Sequence, residues 1–396
     1  MTTRLSHRNE LRFYALLFAV GALVAGVGLW AAYYMESRGH VVTGMNNQVV
    51  WGLPHVFAIF MIVSASGVLN VASVGSVFGR AVYKARAPLA GLLAIALLAG
   101  GLAVLMLDLG RPDRVIVAAT RYNPTSVFAW NVLLYSGLFA TVALYLWTLM
   151  DRTMGAWTKP AGFLVFVWRF VLTTGTGLIF AFLAARQAYA SALLPPLFIV
   201  LSFAWGLAIF LVVQQAMLRW NAMELHPGIQ QRLKNLLGVF VLSVFYLVAA
   251  YHLTNLYFAR QAAFERYLLL DGGTLTALFW VGYAGIGTLL PLALIFLPKA
   301  GGPRCVVTAA LGVVVGAFSL LYVFIIGGQT YPLQIFPGYR AASSFGDGAV
   351  AAYAPSLPEW ALGLGGLGIA FLITLVGVRV LDFLPRDLPG QPVESN

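Results

Sequence analysis

The stretch Leu107-Asp108-Leu109-Gly110-Arg111-Pro112-Asp113-Arg114 packs four charges into seven residues, directly after Ala87 to Met106, a run with only neutral side chains. A carboxylate at that point is costly twice over. It stands at an expected helix C-terminus, where the macrodipole disfavours negative charge, and beside hydrocarbon, where ionisable groups are rare and usually functional. Arg111 and Arg114 are the neighbours able to stabilise it, Arg111 through an i,i+3 ion pair that would fix the helix end. The chemistry open to such a carboxylate is proton exchange. A second proton exchanger, His55, lies about one turn into the preceding long apolar run; unperturbed imidazole changes charge near neutral pH. With antiparallel neighbouring helices, His55 and Asp108 fall at similar depth.

The elements that must position these groups follow from composition. Hydrophobic residues make up 61% of the 396 residues and charged residues 9%, where a soluble domain carries roughly 25% charge. The fold class is therefore all-α, a polytopic membrane helix bundle read as a single transmembrane domain over 1–396. Ten spans are expected at about 11–35, 50–78, 87–108, 125–150, 160–185, 192–217, 233–258, 274–298, 304–327 and 358–383. Turn signals separate them, among them Ala87-Pro88, Gly110-Arg111-Pro112, Asn123-Pro124, Lys159-Pro160, His226-Pro227-Gly228 and Gly301-Gly302-Pro303. Pro195-Pro196 falls in the first turns of its span, where proline is best tolerated. The first apolar run, about Leu11 to Tyr34, is too long for the core of a cleavable signal peptide and reads as a span.

Lysine and arginine counts set the expected orientation. With Arg169 left inside a span, 15 cations lie on the side of the termini and 8 on the other, so both termini are expected in the cytoplasm and the Asp108–Arg114 turn outside. The net charge of +11 then reflects topology and anionic lipid contact rather than nucleic-acid binding. Arg111, Arg114 and Arg121 crowd into one outer loop against the positive-inside trend, either for a specific role or to pair with Asp108 and Asp113. The longest connection, 328–357, is also outer, and loops of that length are usually functional or covered by a partner.

Other candidates are more ambiguous. Trp130, Asn131 and Tyr135 open the fourth span near the outer face. Tyr135 suits the lining of an apolar slot, but interfacial aromatics commonly serve only as belt or packing residues. His55, Ile59, Ile62, Ser66, Asn70 and Ser73 recur on one face of the second span over 18 residues, about 27 Å of helix. Ser66, Asn70 and Ser73 are candidates for a proton path, with Ile59 and Ile62 leaving a gap for water or a neighbouring helix to bridge; helix packing explains the same small polar residues. Arg169 follows eight uncharged residues and precedes sixteen, so it either joins that path or snorkels toward the cytoplasm. One cysteine, Cys305, excludes an internal disulfide and a four-cysteine iron–sulfur cluster within this chain. His55 and His252 form one depth-matched pair for a b-type haem, which leaves haem a minor reading. No metal motif is present, and no Walker or C-x-x-C motif.

These residues resemble a known family. Asp108-Leu109-Gly110-Arg111-Pro112 with Arg114, then Tyr122-Asn123-Pro124-Thr125-Ser126 and Trp130, are similar to the motif of the NrfD/PsrC family of quinone-reactive membrane anchors, and Trp51-Gly52-Leu53-Pro54-His55 is similar to that family's opening segment. The likeness is clearest over 48–150. Ten spans and the run Asn46 to Gly79 are most similar to the branch that serves as P subunits of DsrMKJOP complexes, associated with dissimilatory sulfite reductase. The resemblance implies a multi-pass protein of the bacterial inner membrane. It implies electron exchange between a quinone pool, menaquinone or ubiquinone, and an extracytoplasmic ferredoxin-like iron–sulfur subunit. Further implied partners are a multihaem cytochrome c and other membrane and cytosolic subunits. It implies a histidine and an aspartate near the quinone, matched here by His55 and Asp108 as catalytic groups; Arg111, Trp130 and Tyr135 are the further candidates for quinone binding. Two other readings remain: a secondary transporter, which would need broken helices or a carboxylate at the midplane, and the b-type cytochrome.

Overall fold

The computed structural model describes residues 2–221, 223, 225–297, 302–333, 339 and 348–381. Ten helices in it are long and apolar enough to cross a membrane: α1 (Leu11–Arg38), α2 (Leu53–Ser76), α3 (Ala87–Leu107), α4 (Val127–Met150), α5 (Arg152–Ala181), α6 (Leu194–Trp220), α7 (Pro227–Tyr257), α8 (Thr274–Phe296), α9 (Pro303–Thr330) and α10 (Leu357–Leu381). In hydrocarbon a chain must satisfy its backbone polar groups internally, so apolar runs of this length become helices. The chain is a multi-pass integral membrane protein. The ten expected spans are the ten observed, with ends moved by a few residues. α7 begins at Pro227, not near 233, because Pro227 sits in its first turn and the His226 side chain accepts from Gly228 N. Pro195 and Pro196 do fall in the first turn of α6.

Burial orders the bundle. In α2, 94% of the apolar window is buried, against 28% in α1, so α2 is the central post. It packs on α3, α5, α6, α9 and α10. The α2–α6 crossing depends on two glycines: a Cβ on Gly67 would meet the Ser202 carbonyl oxygen, and one on Gly206 would meet the Gly67 backbone, so the two backbones touch. α1 lies outside, against α10. Residues Leu278–Leu289 of α8 form wide i→i+5 turns; such turns often accommodate local packing demands.

The end of the bundle away from the termini is tied down by the connections. A short helix, Ala259–Arg266, packs back on α7. Of the long loop expected over 328–357, Gly328–Thr330 continue α9, and residues 334–338 and 340–347 lie outside the described residues. Its last part folds onto the entrance of α2. Tyr353 Oη donates to Glu359 Oε1 at 2.6 Å and accepts from Leu53 N at 2.7 Å. Glu359 Oε2 accepts from Gly44 N (2.9 Å), Ser356 N (2.7 Å) and Ser356 Oγ (2.9 Å). Burial and the Glu359 carboxylate together push the Tyr353 phenol well above its usual range, so it stays a donor.

Candidate functional site

His55 stands in the first turn of α2 and Asp108 is the C-cap of α3. Since α2 and α3 pack along their lengths, the two side chains meet: His55 Nδ1 and Asp108 Oδ2 are 2.9 Å apart, with side chains 15% and 1% exposed. The contact is close enough for proton transfer but off the line of a well-formed hydrogen bond. Neither carboxylate oxygen accepts an aligned hydrogen bond from the described residues. A buried carboxylate in that condition is under-satisfied by the protein and open to a donor from a ligand.

The expected i,i+3 pair of Asp108 with Arg111 does not form. Arg111 Nε and one η nitrogen instead donate to Asp113 Oδ1 and Oδ2, each at 3.0 Å, and both residues are about 60% exposed. The physical reason is Gly110, whose φ of +70° ends the helix and turns the chain outward. Arg111 holds the Asp113 carboxyl below its ordinary range, chiefly through that hydrogen bond. The Asp108 backbone is secured by His40, a residue to which its sequence context assigns no role. His40 Nε2 donates to the Asp108 carbonyl oxygen at 3.0 Å, capping α3, and stands 3.9 Å from Asp108 Oδ1. The nitrogen that meets a carbonyl must carry the proton.

Trp51 supplies the apolar wall. Its ring lies over the His55 imidazole, centroids 6.0 Å apart and planes at 24°. It also meets Phe128 of α4 at 6.4 Å and Phe180 of α5 at 5.6 Å. Its backbone is gripped on both sides by the Gln329 amide, which accepts from Trp51 N and donates to Trp51 O, each at 2.9 Å. Gly52 permits the close approach, because a Cβ there would lie 2.4 Å from Glu359 Oε1. Trp51 belongs to the motif already noted, but its position over His55 is visible only in three dimensions. Glu359 did leave a trace in sequence, since Ser356-Leu357-Pro358-Glu359 has capping-box spacing and makes the half of it in which the Glu359 carboxylate accepts from Ser356 N.

On α4, Tyr135 is buried on the helical face that also carries Phe128. Trp130 points elsewhere: it is 39% exposed and donates through Nε1 to the Pro124 carbonyl at 2.6 Å. It acts there as a clasp on the Asn123-Pro124 turn.

Arg169 does not snorkel. It is 3% exposed, donates to Asn70 Oδ1 at 2.6 Å, and lies over the rings of Phe166, Phe170 and Phe203 at 5.1, 4.6 and 5.6 Å. Hydrogen bonding and cation–π contact together offset part of the cost of burying the guanidinium. Ser66 Oγ meets Thr173 Oγ1 at 2.7 Å, so Ser66, Asn70 and Arg169 form one polar cluster between α2 and α5. Ser73 stays apart, its hydroxyl donating to Leu69 O on its own helix at 2.9 Å. Ile59 and Ile62 are buried, and the break expected between His55 and Ser66 along α2 remains.

His252 has its own partner. Its Nδ1 donates to Glu265 Oε2 at 2.7 Å, and Asn255 Nδ2 donates to Glu265 Oε1 at 2.7 Å, with Glu265 fully buried. This pairing ties the helix Ala259–Arg266 to α7. Nothing local signals it, because Glu265 reads in sequence as an ordinary loop acid among Arg260 and Arg266.

The chain is 28% identical over 392 residues to the Hdr-like menaquinol oxidoreductase integral membrane subunit of Archaeoglobus fulgidus, covering 98% of each chain. It is 29% identical over 408 residues to a putative dimethyl sulfoxide reductase membrane subunit of Halobacterium salinarum, covering 93% of this chain and 90% of that one. A polysulfide reductase chain of Wolinella succinogenes is 26% identical over 315 residues, 72% of this chain and 96% of its own. The family model described as polysulphide reductase, NrfD, matches residues 41–332, which include His55, Asp108 and the whole α2–α9 framework, and this chain therefore belongs to the NrfD family.

Proposed function

We propose that this chain is the quinone-reactive membrane subunit of an iron–sulfur electron-transfer complex. The observation that carries the reading is the His55–Asp108 pair: a buried carboxylate with no aligned hydrogen bond, 2.9 Å from an imidazole, beside an indole face. A quinol needs an apolar wall for its ring, a hydrogen-bond acceptor for each hydroxyl and somewhere to leave two protons. Trp51 provides the wall. His55 Nε2 accepts from one hydroxyl, and Asp108 receives the proton that leaves His55 Nδ1. Quinol oxidation releases two electrons and two protons; the electrons pass to an iron–sulfur partner outside the membrane and the protons leave through the His55–Asp108 pair. Tyr135 lies toward this space on the Phe128 face, while Arg111, bound to Asp113, and Trp130, bound to Pro124 at the start of α4, are engaged elsewhere. The quinone is menaquinone or ubiquinone, and the menaquinol named for the Archaeoglobus relative favours the former.

Around this site the assembly we propose has a ferredoxin-like iron–sulfur subunit, a multihaem cytochrome c and further membrane and cytosolic subunits, serving sulfur-compound metabolism from the bacterial inner membrane. The cation bias puts the termini in the cytoplasm and His55 outside. Ser66, Asn70 and Arg169, with Ser73 one turn on, are the polar positions available for a proton path from the other side.

Extraction of the purified complex tests the reading, with mass spectrometry identifying its subunits. Quinone should co-purify at about one per chain and be depleted in His55→Ala. A complex without quinone, or with a stoichiometric haem lost in both His55→Ala and His252→Ala, would overturn it.

A further inference from the structure

A second feature of the interior lies apart from the His55–Asp108 pair. A cavity of about 270 Å³ lies among α3, α6, α9 and α10. Its walls are apolar, with Leu93 on α3, Val213 on α6, Leu311 on α9 and Phe371 on α10. The one hydroxyl on its lining, that of Thr374, already donates to Ala370 O at 2.8 Å. An ordered water needs two to four polar partners, and apolar cavities on the order of 150 Å³ stay dry and take up hydrocarbon instead. A cavity of this size therefore calls for an apolar guest.

The shape says which way the guest enters. Phe60 and Phe318, with ring centroids 4.3 Å apart, close the end toward His55. The side is open, since Leu311 and Phe371 on its lining are 48% and 41% exposed and α9 and α10 make little contact along their lengths. Along α9 and α10 the lining runs from Phe318 to Leu311 and from Leu367 to Thr374, in each case seven residues or about 10 Å of helix. Two of the lining helices then carry an arginine six or seven residues further on, at the end of the bundle where the termini lie: Arg219 after Val213 and Arg304 before Leu311. That is about 8–10 Å beyond the lining. Both are exposed, and among the described residues neither ion-pairs with a carboxylate; Arg379 of α10 is turned instead to α1, 5.4 Å from the Tyr14 ring.

We propose that this cavity holds one acyl chain of an anionic phospholipid, whose phosphate lies against Arg219 and Arg304. The apolar slot accepts the chain, and the arginines select a headgroup of negative net charge. The site is separate from the His55–Asp108 pair and stands or falls independently of it. Its lipid fills the gap between α9 and α10, which the protein leaves open.

Native mass spectrometry of the full chain, reconstituted with phosphatidylglycerol or phosphatidylcholine and washed in mild detergent, tests this. Wild type should retain about one phosphatidylglycerol and no phosphatidylcholine. Ala370→Phe, which fills the cavity, and the double variant Arg219→Gln, Arg304→Gln should each lower retention about tenfold. Thr374→Phe fills the cavity from the α10 wall and replaces Ala370→Phe if that variant does not fold. Undiminished phosphatidylglycerol in the filled or the double variant would refute the site, as would equal retention of phosphatidylcholine. Loss of a bound quinone, and of no phospholipid, from the filled variant would also refute it.

Discussion

Asp108→Asn is the most informative single change in this protein. The substitution keeps the volume and planarity of the side chain and removes its charge and its ability to take a proton. The structure says what else it leaves alone. The His40 hydrogen bond goes to the Asp108 main-chain oxygen, so the cap on α3 survives, and neither side-chain oxygen makes an aligned hydrogen bond that asparagine would forfeit. The stability change should stay within about 1 kcal/mol, and the complex should assemble. Turnover is another matter. A positioned proton acceptor contributes roughly 10²–10⁴-fold to a rate, which is about 2.7–5.4 kcal/mol at about 1.36 kcal/mol per decade. His55 remains in place and can still release its proton more slowly to water, so the lower end applies and quinol oxidation should fall about 100-fold. On the proposed reading His55→Ala removes the hydrogen bond to the quinol, along with the partner of the Trp51 ring, and should weaken quinone binding as well. If the two groups serve one proton-coupled step, the double variant should be about as slow as His55→Ala alone. The assay is steady-state quinol oxidation and quinone affinity for the two single variants and the double variant in the intact complex. Normal turnover in Asp108→Asn would refute the reasoning, and so would independent factors that multiply in the double variant.

Two further variants test the frame around the pair. Glu359→Gln replaces an acceptor of four hydrogen bonds, from Tyr353, Gly44 and two groups of Ser356, with an amide that must present a donor to at least one of them; thermal unfolding in detergent should show a loss of roughly 3 kcal/mol, and an unchanged midpoint would show that the cluster does not hold the α2 entrance. Gly110→Ala must adopt φ +70° and place a Cβ 2.8 Å from His40 Cε1, so it should cost about 1–3 kcal/mol and slow quinol oxidation by displacing the His40 cap, whereas unaltered stability and turnover would mean that this turn does not position Asp108.

The sequence by itself determined the class, the number of helices and the depth of the candidate pair. Each of these rests on short-range physics. An apolar run about 20 residues long must be helical in hydrocarbon, prolines and glycines end it, and antiparallel neighbours bring Asp108 at the end of α3 level with His55 at the start of α2. What sequence separation conceals is which polar groups find each other across the bundle. Arg111 is three residues from Asp108 and suggested the ion pair, yet the positive φ of Gly110 sends it to Asp113, and the cap comes from His40, 68 residues away. Arg169 is paired not by a carboxylate but by Asn70 and three phenylalanines drawn from α5 and α6. Trp51 faces His55 because Gln329 and Glu359, some 280 and 310 residues further on, hold the segment between α1 and α2. Buried polar groups in a membrane bundle must be satisfied by whatever neighbour packing supplies, and packing partners are a property of the assembled helices, not of any one of them.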